Sequence, residues 1–233
     1  MLAIIGAMSE ELKGIRRLVT VESVDTRSGR PVYRGNYMGR NILLVQCGVG
    51  KRRAERTVRF VLDRYPVTAI VLLGFSGALT AGLKAGDVAA CSSVRSTGGQ
   101  EGDEYPCDES LLSAARSCTG TRCQRGVGVS ALGLIGSAEA KRVLGETSRA
   151  DVVDMESYWV ARVAAESRIP FIAVRAVSDS AKDSLPDLPS WRWTSMLAYL
   201  ALHPVSVYRL YRDTGRARKN LTNIGCHLVE VAG

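Results

Sequence analysis

Five acidic positions in this chain stand where chemistry could happen. They are Glu10 and Glu11 in "GAMSEEL", Asp154 and Glu156 on either side of Met155 in "VVDMES", and Asp179 at the end of "PFIAVRAVSD". Each group follows an apolar run, which puts it at a strand end or a strand-to-helix junction. Acids in a first helical turn are favoured by the helix dipole, and a loop aspartate commonly serves as a cap. The same carboxylates have sharper uses. One of Glu10 and Glu11, turned into a cleft, would be a general base able to activate water. Asp154 and Glu156 are placed to accept hydrogen bonds from the two hydroxyls of a ribose, while the flexible thioether of Met155 covers the sugar's apolar face. Asp179, next to Ser178, fits a general acid that protonates a leaving group. Arg175, four residues earlier, is a partner for one of the acids.

These groups need elements to hold them. The runs "LAIIGA", "NILLVQCGVG", "AIVLLGFSGAL", "DVAACSSV" and "PFIAVRAVSD" have strand length, and several end in glycine or small polar residues. Helix-length segments lie between some of them. "KRRAERTVRFVLDRY" sets Ala54, Val58, Val61 and Leu62 on one stripe, and "DMESYWVARVAAES" sets Met155, Trp159 and Val163 on another. Alternating strands and helices predict an α/β domain around a mixed or parallel sheet, with sites at the carboxyl ends of strands. "CGVGKRR" and "GFSGAL" are glycine-rich strand ends; Gly48 and Gly50 allow close approach, but neither motif has phosphate-loop or GxGxxG spacing. "RSTGGQEGDEYPCDES" reads as a polar loop.

The chain has 233 residues, 46% hydrophobic and 23% charged, enough for one sizeable core. The net charge of +8 comes largely from Arg52, Arg53, Arg56 and Arg59 and from the stretch Arg209 to Lys219. A solvated helix face accounts for such a pattern, and no nucleic-acid partner is expected. Six cysteines show neither a CxxC pair nor a histidine at zinc-ligand spacing, so we expect reduced thiols, no metal and a cytosolic protein. No signal peptide and no membrane span are expected. Beyond Pro186 and Pro189, "WRWTSMLAYLALHPVSVYRLYRDTGRARKNL" turns from apolar and aromatic to basic. It reads as terminal helices packed on the core, residues 186–233 extending a domain of residues 1–185, or as a surface for a membrane or lipidic ligand.

In order, "IIGAMSEEL", "CGVGK", "GFSGALTAGLKAGD", "VVDMES" and "VRAVSDSAKD" resemble the nucleoside phosphorylase and nucleosidase superfamily, especially its 5′-methylthioadenosine/S-adenosylhomocysteine nucleosidase branch. The resemblance implies a twisted mixed sheet flanked by helices in a single domain, with extra C-terminal helices here. It implies hydrolysis of an N-glycosidic bond with no cofactor, a small-molecule nucleoside as substrate, and a homodimer. Glu11 then matches the acid that activates water, Met155 and Glu156 the ribose-binding pair, and Asp179 the acid that protonates the purine at N7. Met8, Gly50, Phe75, Leu134, Ile135 and Ser178 fall at pocket positions, and Arg175 matches an arginine that supports the site. Leu134 stands where the family stacks a phenylalanine on adenine, and "GFSGA" replaces a "GSAGG"-like turn, bringing Phe75 near the sugar.

"LIGSAEAKRVL", "VSDSAKDSLP" and the basic tail are similar to a hopanoid-associated branch that removes adenine from adenosylhopane, whose lipidic substituent would need an apolar mouth. Futalosine hydrolase lies in the same superfamily. A phosphorylase needs a cationic phosphate cradle, for which Arg52 and Arg53 are candidates, whereas Glu11 supplies a hydrolase's base. A non-catalytic nucleoside-binding module is the remaining class.

Overall fold

Aliphatic runs buried on both faces set the centre of the molecule. A computed structural model describes residues 1–98, 103–184 and 204–232, of which 204–214 as backbone alone. In chain order the elements are β1 (Leu2–Gly6), α1 (Ser9–Arg16), β2 (Thr20–Asp25), β3 (Val32–Tyr37), β4 (Arg40–Gln46), α2 (Lys51–Arg64), β5 (Ala69–Ala78) and β6 (Val88–Ser96). They continue with β7 (Glu104–Pro106), α3 (Glu109–Arg116), β8 (Cys123–Ser130), α4 (Ala138–Ser148), β9 (Val152–Asp154), α5 (Ser157–Glu166), β10 (Phe171–Asp179) and α6 (Pro204–Ala232).

The strands make one mixed ten-stranded sheet. β1 pairs in parallel with β4 and β5, and β5 with β10. From β5 the pairing runs through β10, β6, β8 and β9 and returns to β5, closing a ring. The other direction ends in the antiparallel β4, β3 and β2. Parallel strands covered on both faces need continuous apolar sequence, which is what β1 and most of β5 and β10 supply. The mixed sheet flanked by helices is therefore as expected from the sequence.

Several details differ. β2 and β3 are largely polar and half exposed, so apolar runs do not mark them. The polar loop contains β7 and leads into α3. On α2 the buried stripe is Ala54, Thr57, Val58 and Val61, with Leu62 only half buried. α5 starts at Ser157, so Met155 precedes the helix and is not part of the stripe that buries Trp159 and Val163.

Within α6, Ala217, Leu221, Ile224, Leu228 and Val229 are fully buried, and the helix packs across α1, α3 and β10. Burial of each of the leucine, isoleucine and valine side chains is worth about 2 kcal/mol. α1 and α6 touch where Gly14 meets Thr222; a Cβ on Gly14 would overlap the threonine hydroxyl. These apolar residues are committed to the core, not to a lipid surface. The stretch from Trp191 to His203, with Pro186 and Pro189, lies outside the described residues. No helix among the described residues is long and apolar enough to cross a membrane.

Candidate active site

Glu10 and Glu11 look alike in sequence and the fold separates them. Met8 caps α1 in an extended conformation, and Glu11, three positions on, reaches back so that Met8 N donates to its Oε2 at 2.8 Å. That is the ordinary helix-start use of a glutamate. Its other oxygen leaves the helix: Phe75 N, on β5, donates to Glu11 Oε1 at 2.9 Å. Glu11 is only 2% exposed, and burial pushes its pKa above the usual 4.5, against the backbone donors and Arg175. Glu10 is exposed and accepts only from the Ser9 hydroxyl among the bonds seen. A buried carboxyl with raised proton affinity suits a general base.

Arg175 ties this corner to the next. It sits inside β10, opposite Gly74 of β5, and is fully buried. Its Nη2 pairs with Asp154, and its Nε and Nη2 donate to Ser157 Oγ at 3.0 and 2.8 Å. Nη1 has no hydrogen-bond partner among the described residues and lies over Gly74, on the Glu11 side. A Cβ on residue 74 would overlap Nη1 and sit 3.0 Å from Glu11 Oε1, so this packing requires glycine.

Asp154 ends β9 and is saturated. Its Oδ1 accepts from Ser130 Oγ at 2.5 Å, and its Oδ2 accepts from Ser157 N at 3.0 Å, Ser157 Oγ at 2.5 Å and Arg175. It caps α5 and anchors the arginine. Glu156 differs: Gly50 N donates to Oε1 at 2.8 Å, and Gly50 at φ +90° presents that amide from the cap of α2. Burial, followed by the nearby Asp154 charge, pushes Glu156 up to about 7, with Arg175 opposing. Physically, Glu11, Asp154 and Glu156 face one guanidinium in a dry interior, and full ionisation would leave excess negative charge there.

Asp179 lies at the end of β10, past a break in register with β5. Ser178 Oγ donates to its Oδ1 at 2.6 Å, or alternatively to Ser76 O at 3.1 Å. Its Oδ2 meets Lys141 Nζ in a buried ion pair. Lys141, on α4, is 0% exposed and also donates to Ser180 O at 3.0 Å and Asp183 O at 2.9 Å. Sequence reasoning missed this lysine. It shares a stripe of α4 with Leu144, one turn on, where a charge is unexpected.

Glu11, Phe75, Arg175, Glu156 and Asp179 thus converge around the ends of β5 and β10, and Met8 and Met155 are half buried at the starts of α1 and α5. Phe75 is partly buried against the main core, with its amide on Glu11. Ser76 Oγ is buried without a partner among the described residues. The expected purine-stacking position is not enclosed: Leu134 is 66% exposed in the turn after β8, while Ile135 packs on a small cluster of Leu79, Val129, Ala131, Ala150 and Val153. Among the described residues no group of His, Cys, Asp and Glu could hold a metal ion.

The whole molecule superposes on nucleosidases. The 5′-methylthioadenosine/S-adenosylhomocysteine nucleosidase of Neisseria meningitidis, in complex with methylthio-immucillin-A, matches with TM-score 0.81 and 21% identity over 98% of each chain. The corresponding nucleosidase of Colwellia psychrerythraea 34H, in complex with adenine, matches with TM-score 0.81 and 20% identity over 98% of this chain and 94% of that one. Futalosine hydrolase of Helicobacter pylori matches with TM-score 0.77 and 21% identity over 96% of each chain. At this identity the likeness establishes the fold. A family model described as the phosphorylase superfamily matches residues 1–195, and the chain belongs to that superfamily.

Proposed function

We propose that this protein is a purine nucleosidase that hydrolyses the N-glycosidic bond of a 5′-modified adenosine and releases adenine. One observation carries the reading. Glu11 is a buried carboxyl held by two backbone amides with raised proton affinity, a base for water rather than a cradle for phosphate. Glu156 accepts from the ribose hydroxyls, with Met155 against the sugar. Asp179 serves the departing base, whose loss leaves the sugar carbon oxocarbenium-like, and Glu11 takes the proton of the attacking water. Arg175 holds Asp154 and faces Glu11, so it positions the acids.

The 5′-substituent is the open choice among methylthio, homocysteinyl, lipidic and futalosine-type groups. The likeness of "LIGSAEAKRVL" and "VSDSAKDSLP" to the hopanoid-associated branch favours an apolar one, of which adenosylhopane is the extreme. The exposed Leu132 and Leu134 are apolar surface that a homodimer would cover; sedimentation showing a monomer at micromolar concentration would remove that element. Incubation with methylthioadenosine, adenosylhomocysteine, futalosine and a lipid-linked adenosine, with and without phosphate, tests the reading. The free purine base should appear without phosphate. Release only with phosphate would make the protein a phosphorylase, and no release from any of them a binding module.

A further inference from the structure

Lys141 is the charged group that the proposed reaction leaves without a role. Its ammonium has three protons and three acceptors: Asp179 Oδ2, Ser180 O at 3.0 Å and Asp183 O at 2.9 Å. No part of it is exposed. The receiving loop is itself tied down, since Ser180 N and Oγ donate to Asp183 Oδ2 at 2.8 and 2.7 Å and Ala138 N, at the start of α4, donates to Ser184 Oγ at 3.2 Å. A lysine kept only for packing would be costly here, because a buried cation is tolerated only when fully paired.

The geometry serves a second protonation state equally well. If one proton moves from Nζ to Asp179, the neutral amine keeps two N–H groups for the carbonyls of Ser180 and Asp183. Its lone pair then accepts from the aspartic acid. Every polar atom stays satisfied and nothing needs to move. Few buried pairs have this property, because it requires two neutral acceptors beside the carboxylate.

We propose that Lys141 is the proton store behind Asp179, a positioning residue that acts on the leaving base through that carboxylate. The inference rests on the reading of Asp179 as the group that serves the base. The bond from the sugar carbon to N9 breaks and its electron pair stays with the purine. Lys141 Nζ gives a proton to Asp179 and becomes a neutral amine, and N7 takes that proton from the aspartic acid. Water bonds to the sugar carbon and gives its proton to Glu11, from which it passes to solvent while the lysine takes one up.

The test compares two leaving groups. Adenine needs a proton to depart, whereas 4-nitrophenolate, from a 4-nitrophenyl β-riboside carrying the same 5′-substituent, does not. Lys141→Met removes the store. Lys141→Arg keeps a cation on Asp179 that does not give up its proton. In each variant that melts cooperatively, kcat for adenine release should fall by about 10²-fold or more. Cleavage of the nitrophenyl riboside should stay within a few-fold of the parent, and KM should change little. Equal losses on both substrates, or adenine release by Lys141→Arg at the parent rate, would overturn the proposal and leave Lys141 a structural cation. A parent that cleaves the nitrophenyl riboside while Asp179→Asn keeps full adenine release would overturn the reading of Asp179. A parent inert on both would overturn the hydrolase reading itself.

Discussion

Replacing Glu156 by glutamine should stabilise the protein above neutral pH while weakening catalysis. In the folded state burial and Asp154 hold the Glu156 proton up to about pH 7, against an ordinary value of 4.5. Between those values the folded chain binds more protons than the unfolded one, so stability falls as pH rises, and the loss is complete above 7. At about 1.4 kcal/mol per pH unit, the gap corresponds to a penalty of about 3 kcal/mol. Glutamine carries no charge and retains an oxygen for Gly50 N, so Glu156→Gln escapes the penalty. For a chain of this size, the variant should melt about 5–10 °C above the parent at pH 8. At pH 5 the two should nearly coincide. Thermal unfolding of both proteins between pH 5 and 8 measures this directly. Melting temperatures that run parallel across the range would refute the charge argument, because the cost would then not be one of ionisation.

Glu11→Gln keeps an acceptor for only one of its two amide donors, Met8 N and Phe75 N, and turns an NH2 group toward the other; with cooperative melting retained, kcat for adenine release should fall about 10²–10⁴-fold, and near-parent turnover would remove Glu11 as the base. Arg175→Met leaves Asp154 and Glu11 without their buried cation and should cost about 3–5 kcal/mol in urea unfolding, with a loss below 1 kcal/mol marking the pair as dispensable. Gly74→Ala places a methyl group where the Arg175 guanidinium and Glu11 Oε1 lie. It should lower both melting temperature and kcat, whereas alanine at the open, exposed Gly133 should change neither.

The aliphatic strands at the centre were legible because two-sided burial writes itself as unbroken apolar sequence. β2 and β3 were not, because half-exposed strands at the far side of the sheet need no such run. Asp154 and Glu156 share one local pattern and part company only in three dimensions: one is spent on Ser130, Ser157 and Arg175, the other keeps an oxygen beyond Gly50. Glu11 is told from Glu10 by a donor 64 residues away, the Phe75 amide. The local signal of Lys141 is a charge on the apolar stripe of α4; its partners, Asp179 and the carbonyls of Ser180 and Asp183, lie about 40 residues on. Position 134, read from the resemblance as purine-facing, holds an exposed leucine, because the turn after β8 leaves it outside the cluster on which its neighbour Ile135 packs.

In the proposed mechanism Glu11 directs water to the sugar carbon. Turnover of a 5′-substituted adenosine in phosphate-free buffer made with ¹⁸O water, followed by mass spectrometry of the sugar, tests it most directly. Adenine release with one ¹⁸O at the anomeric position, abolished by Glu11→Gln, is the expected result. Release that waits for added phosphate and yields a ribose 1-phosphate derivative would contradict it.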